Sequence, residues 1–306
     1  AELSSDYNER STIVGWRMFI GTFGNAISKF LPAIALFFFA FGGAEETIII
    51  IGLCLLIVIP ITISLSVFNV PERMDYQVKQ GSLKEGLIAM WKNKAFRQLI
   101  FAYFFNYLGV TLSTLTVMFF IRGVTGEEKQ GILYFVFYYI ANLIGIPFWL
   151  WLSKKIGKHN AWKIGLLVFT FLQPCYFFLG EGDYYWMFPI TFIAGLAGST
   201  FHLIPHAMKA DVIDYDTHLT GEDRAAQFFA AWSFVTKMAI AIAPFFAFTY
   251  LDIIGFDSTP GAINSPEQIL GLRILFCLGL PLFLILAILC VRNYPITQEK
   301  QEEIRR

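Results

Sequence analysis

Eight stretches of this chain are long and apolar enough to cross a lipid bilayer, and that leaves it few ways to fold. They cover residues 13–41, 46–70, 97–121, 131–153, 161–180, 184–208, 225–251 and 269–292. A membrane-spanning helix needs about 20 mainly apolar residues. Composition agrees: 56% of the 306 residues are hydrophobic and 33 are phenylalanine, more apolar surface than one soluble core can hide. The expected fold is an all-α membrane protein. Pro32, Pro60, Pro147, Pro174, Pro189, Pro205, Pro244 and Pro281 sit inside or at the ends of these runs. Spanning helices tolerate such breaks because neighbouring helices satisfy the freed backbone groups.

Lys and Arg are distributed unevenly among the turns. Threading the runs back and forth puts Arg10, Arg17, Arg73, Lys79, Lys84, Lys92, Lys94 and Arg97 on one face. That face also carries Lys154, Lys155, Lys158, Lys163, Lys209, Arg224, Arg292, Lys300, Arg305 and Arg306, 18 in all, against Arg122 and Lys129 opposite. Cytoplasmic loops hold such an excess, so both ends of the chain are expected to be cytoplasmic. Formal net charge is zero, so the basic footprint of a nucleic-acid binder is absent and no such partner is expected. The bilayer itself is the expected surrounding. Cys54, Cys175, Cys277 and Cys290 all fall within apolar runs, at spacings that suit neither a zinc site nor a disulfide framework.

The longest connection on the basic face is 69–96. Within it, Ser82-Leu-Lys-Glu85 reads as a capping box, and Leu83, Leu87, Met90 and Trp91 recur on one side. This predicts a short helix lying on the inner leaflet; the alternative is a solvated linker.

Two stretches of the chain match at an offset of 208 residues. Asp6-Tyr7 maps onto Asp214-Tyr215, Ser28-Lys29 onto Thr236-Lys237, Ala33-Ile-Ala35 onto Ala241-Ile-Ala243, and Phe37-Phe38 onto Phe245-Phe246. The first span thus corresponds to the seventh, which makes the repeat six spans long and parallel in topology. Parallel repeats of six helices build the major facilitator fold. On this reading the chain is a fragment with eight of twelve helices, the first four missing before Ala1. Residues 1–70 are the last two helices of the N-terminal half, 71–96 the linker with its amphipathic helix, 97–292 the C-terminal six-helix half, and 293–306 a cytoplasmic tail.

Three stretches carry a more specific likeness. Ala1-Glu-Leu-Ser-Ser-Asp-Tyr-Asn-Glu-Arg10 with Arg17, Lys209-Ala-Asp-Val-Ile-Asp-Tyr215 with Arg224, and Lys237 thirteen residues further on resemble the glycoside–pentoside–hexuronide:cation symporters. The first looks like that family's loop between its fourth and fifth helices, the second like the loop after its tenth. Lys237 falls where the family places a lysine in its eleventh helix. The resemblance implies a sugar or glycoside as solute, co-transport of Na+ or H+, no other cofactor, a monomer, and a bacterial inner membrane. It also implies roles near the sugar for Arg17 and in coupling for Lys237. Lys29 has no counterpart in that pattern, and the helices that hold the family's cation-binding carboxylates are not in this chain.

Lys29 and Lys237 lie near the middle of their spans. Water is about ten residues away, roughly 15 Å along a helix, and a lysine side chain reaches only about 6 Å. An uncompensated charge there costs on the order of 3 kcal/mol or more. Each ammonium therefore needs a carboxylate, a wet cavity or a depressed pKa. No Asp or Glu in these spans lies near the membrane centre, so partners are expected from further helices or the solute.

Asn25 lies one turn before Lys29 and Ser233 one turn before Lys237, on the same helical faces. Trp232 offers an aromatic face for a sugar ring. Arg17, Asn25, Lys29, Trp232, Ser233 and Lys237 are thus the candidate solute-binding and coupling residues. For any one of them, helix-to-helix hydrogen bonding or lipid contact is the competing reading. Asp6, Tyr7, Arg10, Asp214, Tyr215 and Arg224 are candidates for a cytoplasmic gate that closes in one state and opens in the other; solvated loop charge is the alternative. His202 and His206 are four apart, but no third ligand suggests a metal site.

Nothing points to an enzyme: there is no His-Glu-x-x-His, phosphate-cradling glycine loop or nucleophile elbow. The expected function is cation-coupled symport of a small solute by alternating access. A lysolipid or an anionic solute such as a hexuronide is the alternative cargo on the same fold.

Overall fold

The computed structural model describes residues 44–69, 83–127, 131–222, 224–259 and 261–296, together with the helical positions 20, 21, 23, 24 and 27. The chain divides into two compact units, Ala1–Lys79 and Gln80–Arg306. Among the described residues, seven helical segments are long and apolar enough to cross a membrane. They coincide with seven of the eight expected spans. The eighth, 13–41, lies outside the described residues apart from the five isolated positions.

In the first unit, α1 runs Ala44–Asn69 with Pro60 inside it. The proline removes one ladder donor. Two residues on, the Thr62 hydroxyl donates to the carbonyls of Val58 (2.9 Å) and Ile59 (3.0 Å), and Asn69 closes the last turn onto Leu65 at 2.8 Å.

The second unit opens with α2, Leu83–Lys92, the short helix that the linker periodicity predicts. Asn93 then caps α3, Lys94–Phe120, by accepting from the Phe96 N–H at 3.1 Å. A π-helical turn, Ile121–Thr125, ends that span at Gly126, whose φ of 77° suits glycine. α4 is Gly131–Ile156 and α5 is Lys158–Leu172, the latter tightening into a 3-10 turn over Gln173–Phe178 where Pro174 enters. α6, Met187–Gly198, and α7, Thr200–Thr220, form one span bent at the Gly198-Ser199 pair. α8 is Ala225–Ile253. α9, Pro266–Val291, begins with Ser265 and Gln268 in a capping box and proline in the first turn.

α3 is the hub, packing chiefly on α9 and α8 and also on α7; α4 packs on α6, and α5 bridges α9, α7 and α6. Small residues let backbones approach closely where α4 meets α6. A Cβ at Gly145 would sit 2.6 Å from the Leu196 carbonyl, and one at Gly195 would overlap the carbonyl of Tyr138. Such contacts, rather than hydrophobic exclusion, hold helices together in lipid.

One expectation is corrected by its extent. The apolar run ends at 208, but α7 continues to Thr220. The helix carries Lys209, Asp211 and Asp216 inward, each buried, because each finds partners there.

Candidate functional site

α8 presents two unlike faces. Phe228, Trp232, Ala239, Ala243, Ala247 and Leu251 are buried against the other spans of the unit. Lys237 and Ser233 share the opposite, exposed side, next to Phe234 and Met238, which are exposed as well. Among the described residues, no hydrogen bond or ion pair reaches the Lys237 ammonium. Ser233 and Lys237 thus stand together as their spacing requires. Trp232 does not join them. One residue away, at about 100° per step, its ring turns into the bundle.

There it enters an aromatic and imidazole cluster built by α3, α7 and α8. Tyr103 stacks on Trp232 with ring centres 4.1 Å apart, and His206 meets the edges of both at 5.8 and 5.6 Å. Tyr107 contacts His202 at 5.4 Å. The Lys209 ammonium lies 4.0 Å from the Phe229 ring centre and 5.0 Å from that of Trp232, two cation–π contacts for a lysine that is 5% exposed. His206 Nδ1 sits 2.7 Å from the His202 carbonyl. Asn106, fully buried, donates to the Phe201 carbonyl at 3.2 Å, yet its Oδ1 and the Trp232 Nε1 have no hydrogen-bond partner. Buried polar atoms without partners are uncommon, and here two lie on neighbouring helices of one cluster. The His pair belongs to this cluster; among the described residues no group of three metal-ligating side chains exists.

At the basic end of the bundle, charges are paired. Lys158, at the start of α5, gives both Asp211 oxygens hydrogen bonds of 2.7 and 2.6 Å. Arg224 reaches Glu222 at 2.7 Å and Asp216 at 3.5 Å, and Asn93 donates to the other Asp216 oxygen at 3.3 Å. Beyond α9, the buried Tyr294 ring lies beside His159, and burial together with the nearby Asp211 charge raises its phenol well above the ordinary value.

Of the expected gate residues, Arg224 is in this network. Asp214 is exposed, and Tyr215 is half-buried against the core. The carboxylate that Arg224 pairs with is Asp216, which the Asp-Tyr repeat had overlooked. A helical count finds it, since Asp216 falls on the buried face of Lys209 and Val212. Asp6, Tyr7, Arg10, Arg17, Asn25 and Lys29 lie outside the described residues. Gln173 spends its amide on the Phe276 carbonyl at 3.0 Å and Ser113 at 3.4 Å, the helix-to-helix role.

A family model described as MFS/sugar transport protein matches residues 1–298. The chain belongs to that family. Membership makes it a multi-pass membrane protein of a transporter family rather than an enzyme, and it bears out the resemblance to cation symporters of glycosides. Among curated proteins, the inner membrane symporter YicJ of Escherichia coli is 23% identical over 96% of this chain and 64% of its own length. The sodium-dependent lysophosphatidylcholine symporter 1 of Xenopus tropicalis is 28% identical over 72% of this chain and 42% of its own. A glucuronide carrier protein homolog of E. coli is 26% identical over 74% and 50%. The chain therefore spans between about two fifths and two thirds of the length of these relatives.

Proposed function

We propose that the protein carries a sugar or glycoside across the membrane by symport with Na+ or H+, through alternating access between two six-helix halves. In this reading 97–292 form the second half, 1–70 contribute the last two helices of the first, 71–96 link them, and four further spans complete the twelve. The internal repeat supports that division. Both ends of the chain lie on the basic, cytoplasmic side, in an inner membrane like that of the YicJ relative.

The observation that carries the reading is the intramembrane ammonium of Lys237, exposed on its unit with no described partner. A charge so placed marks a solute or ion pathway. In this reading Lys237 and Ser233 bind and couple the solute in the second unit, and Arg17, Asn25 and Lys29 are the residues the sequence offers for the same work in the first. Trp232, stacked on Tyr103 and carrying an unpaired donor, backs the site from inside the bundle. Asp214, Tyr215 and Arg224 are the cytoplasmic gate residues proposed for the second unit, and Asp6, Tyr7 and Arg10 their candidates from the sequence of the first.

The test is uptake. Vesicles holding the full-length protein should accumulate a labelled glycoside only under an inward Na+ or H+ gradient, and Lys237→Met should lower that uptake about a hundredfold. Gradient-independent uptake, or none for any glycoside, would end the sugar symport reading. A second cargo class has support of its own, since relatives carry lysophosphatidylcholine and glucuronide in their names. Cation-driven uptake of a labelled lysolipid or glucuronide in the same vesicles would replace the glycoside.

A further inference from the structure

The helix α2 has two apolar sides, and the protein uses only one. Gly86 and the 5%-exposed Met90 turn inward, Gly86 so close to α8 that a Cβ there would overlap the Gln227 amide. Around the other side, Leu87 and Trp91 are each 62% exposed and Ile88 46% exposed. A solvated linker has no reason to hold a tryptophan and two aliphatic side chains on its open arc.

The arc is also continuous with a membrane-spanning surface. The Trp91 ring meets Phe101, itself exposed two turns into α3, at 6.1 Å. Cations surround it. Lys84 and Lys92 project from the same arc, Lys94 follows at the start of α3, and all three are exposed. Arg97 lies 5.8 Å above the Trp91 ring and donates to the Trp91 carbonyl at 3.0 Å, which holds its guanidinium beside the indole. The combination is an apolar wedge ringed by positive charge at the depth where a span begins. Amphipathic ring systems settle at the headgroup level, and basic side chains there attract acidic headgroups.

We propose that α2 and the first turn of α3 form a binding site for an acidic phospholipid. Leu87, Ile88 and Trp91 seat among its acyl chains, and Lys84, Lys92, Lys94 and Arg97 hold its phosphate. The site lies on the second unit alone. It goes beyond the transport reading, because it concerns the lipid that anchors the linker and not the cargo.

The experiment reads the lipid next to Trp91 and needs no solute. Full-length protein is reconstituted in bilayers of mixed phosphatidylcholine and phosphatidylglycerol, with bromine, a tryptophan quencher, on the acyl chains of one lipid or the other. The fluorescence assigned to Trp91 is the part removed by Trp91→Phe. Brominated phosphatidylglycerol should quench that part in preference to brominated phosphatidylcholine at equal mole fraction. The enrichment should be on the order of fivefold for each cation engaged. In the triple variant Lys84→Gln, Lys92→Gln, Lys94→Gln the preference should fall to the roughly fivefold that Arg97 alone supports, while Trp91 remains quenched. Equal quenching by both lipids in the unaltered protein would overturn the acidic-lipid site. No quenching of Trp91 by either would remove the helix from the membrane altogether. Both leaflets contain both lipids, so the result does not depend on which way the protein inserts or on what it carries.

Discussion

Arg273 and Lys237 are both cations inside predicted spans, and the second unit treats them in opposite ways. Arg273, on α9, donates to the carbonyl of Phe177 at 2.8 Å and to that of Leu179, the backbone oxygens freed where α5 tightens into its 3-10 turn. Its charge is met by the fold. Lys237, on α8, meets nothing among the described residues and points away from the packed face. The paired charges Lys158–Asp211 and Arg224–Asp216 behave as Arg273 does. The contrast separates charge that holds the bundle together from charge held in reserve for something that comes and goes.

If that division is right, substitutions on its two sides should fail in different ways. Lys237→Met should lower cation-driven uptake about a hundredfold, the size of about 3 kcal/mol of lost intramembrane pairing, while the melting temperature in detergent stays put or rises. A parallel fall in both would move Lys237 to the structural side. Asp211→Asn strands the Lys158 ammonium and should cost about 3 kcal/mol of stability, read as a lower melting temperature. Joining Asp211→Leu with Lys158→Met should recover most of that loss, because a largely desolvated pair exchanged whole for apolar side chains is nearly neutral. If the double variant is no better than the single one, the pair does more than satisfy itself.

Smaller effects sharpen the same line. Trp232→Phe keeps a ring on Tyr103 but removes the unpaired Nε1 donor. Because that ring is buried in the bundle, the loss should read as a lower melting temperature, about 1 kcal/mol, with the solute concentration for half-maximal uptake unchanged. Asn93→Ala removes the α3 cap and the donor to Asp216, and should lower stability by about 1 kcal/mol. It should leave the half-saturating concentration alone.

Much of this was legible in advance. Seven described spans fall where the apolar runs lie, and α2 where its periodicity lies. Residue spacing also put Ser233 and Lys237 on one face. The same spacing could not say which face of α8 packs, so Trp232 was grouped with Lys237 although the bundle turns them apart. It ended the α6–α7 span at 208, inside α7, because charge ends an apolar run. Lys209 was counted as a loop cation for the same reason, though it lies buried under Phe229 and Trp232. Tyr103, His206 and Asp216 gave no local sign of their roles, since each depends on a partner more than 25 residues away or on which side of its helix is covered.

The sequence by itself determined the element type and the seven described spans. Both follow from a local quantity, the length of an apolar run against the thickness of a bilayer. Only the tertiary structure decided which polar groups are satisfied. Whether an ammonium is stable inside a membrane depends on what other helices bring within about 3 Å of it, and no run of neighbouring residues encodes that distance.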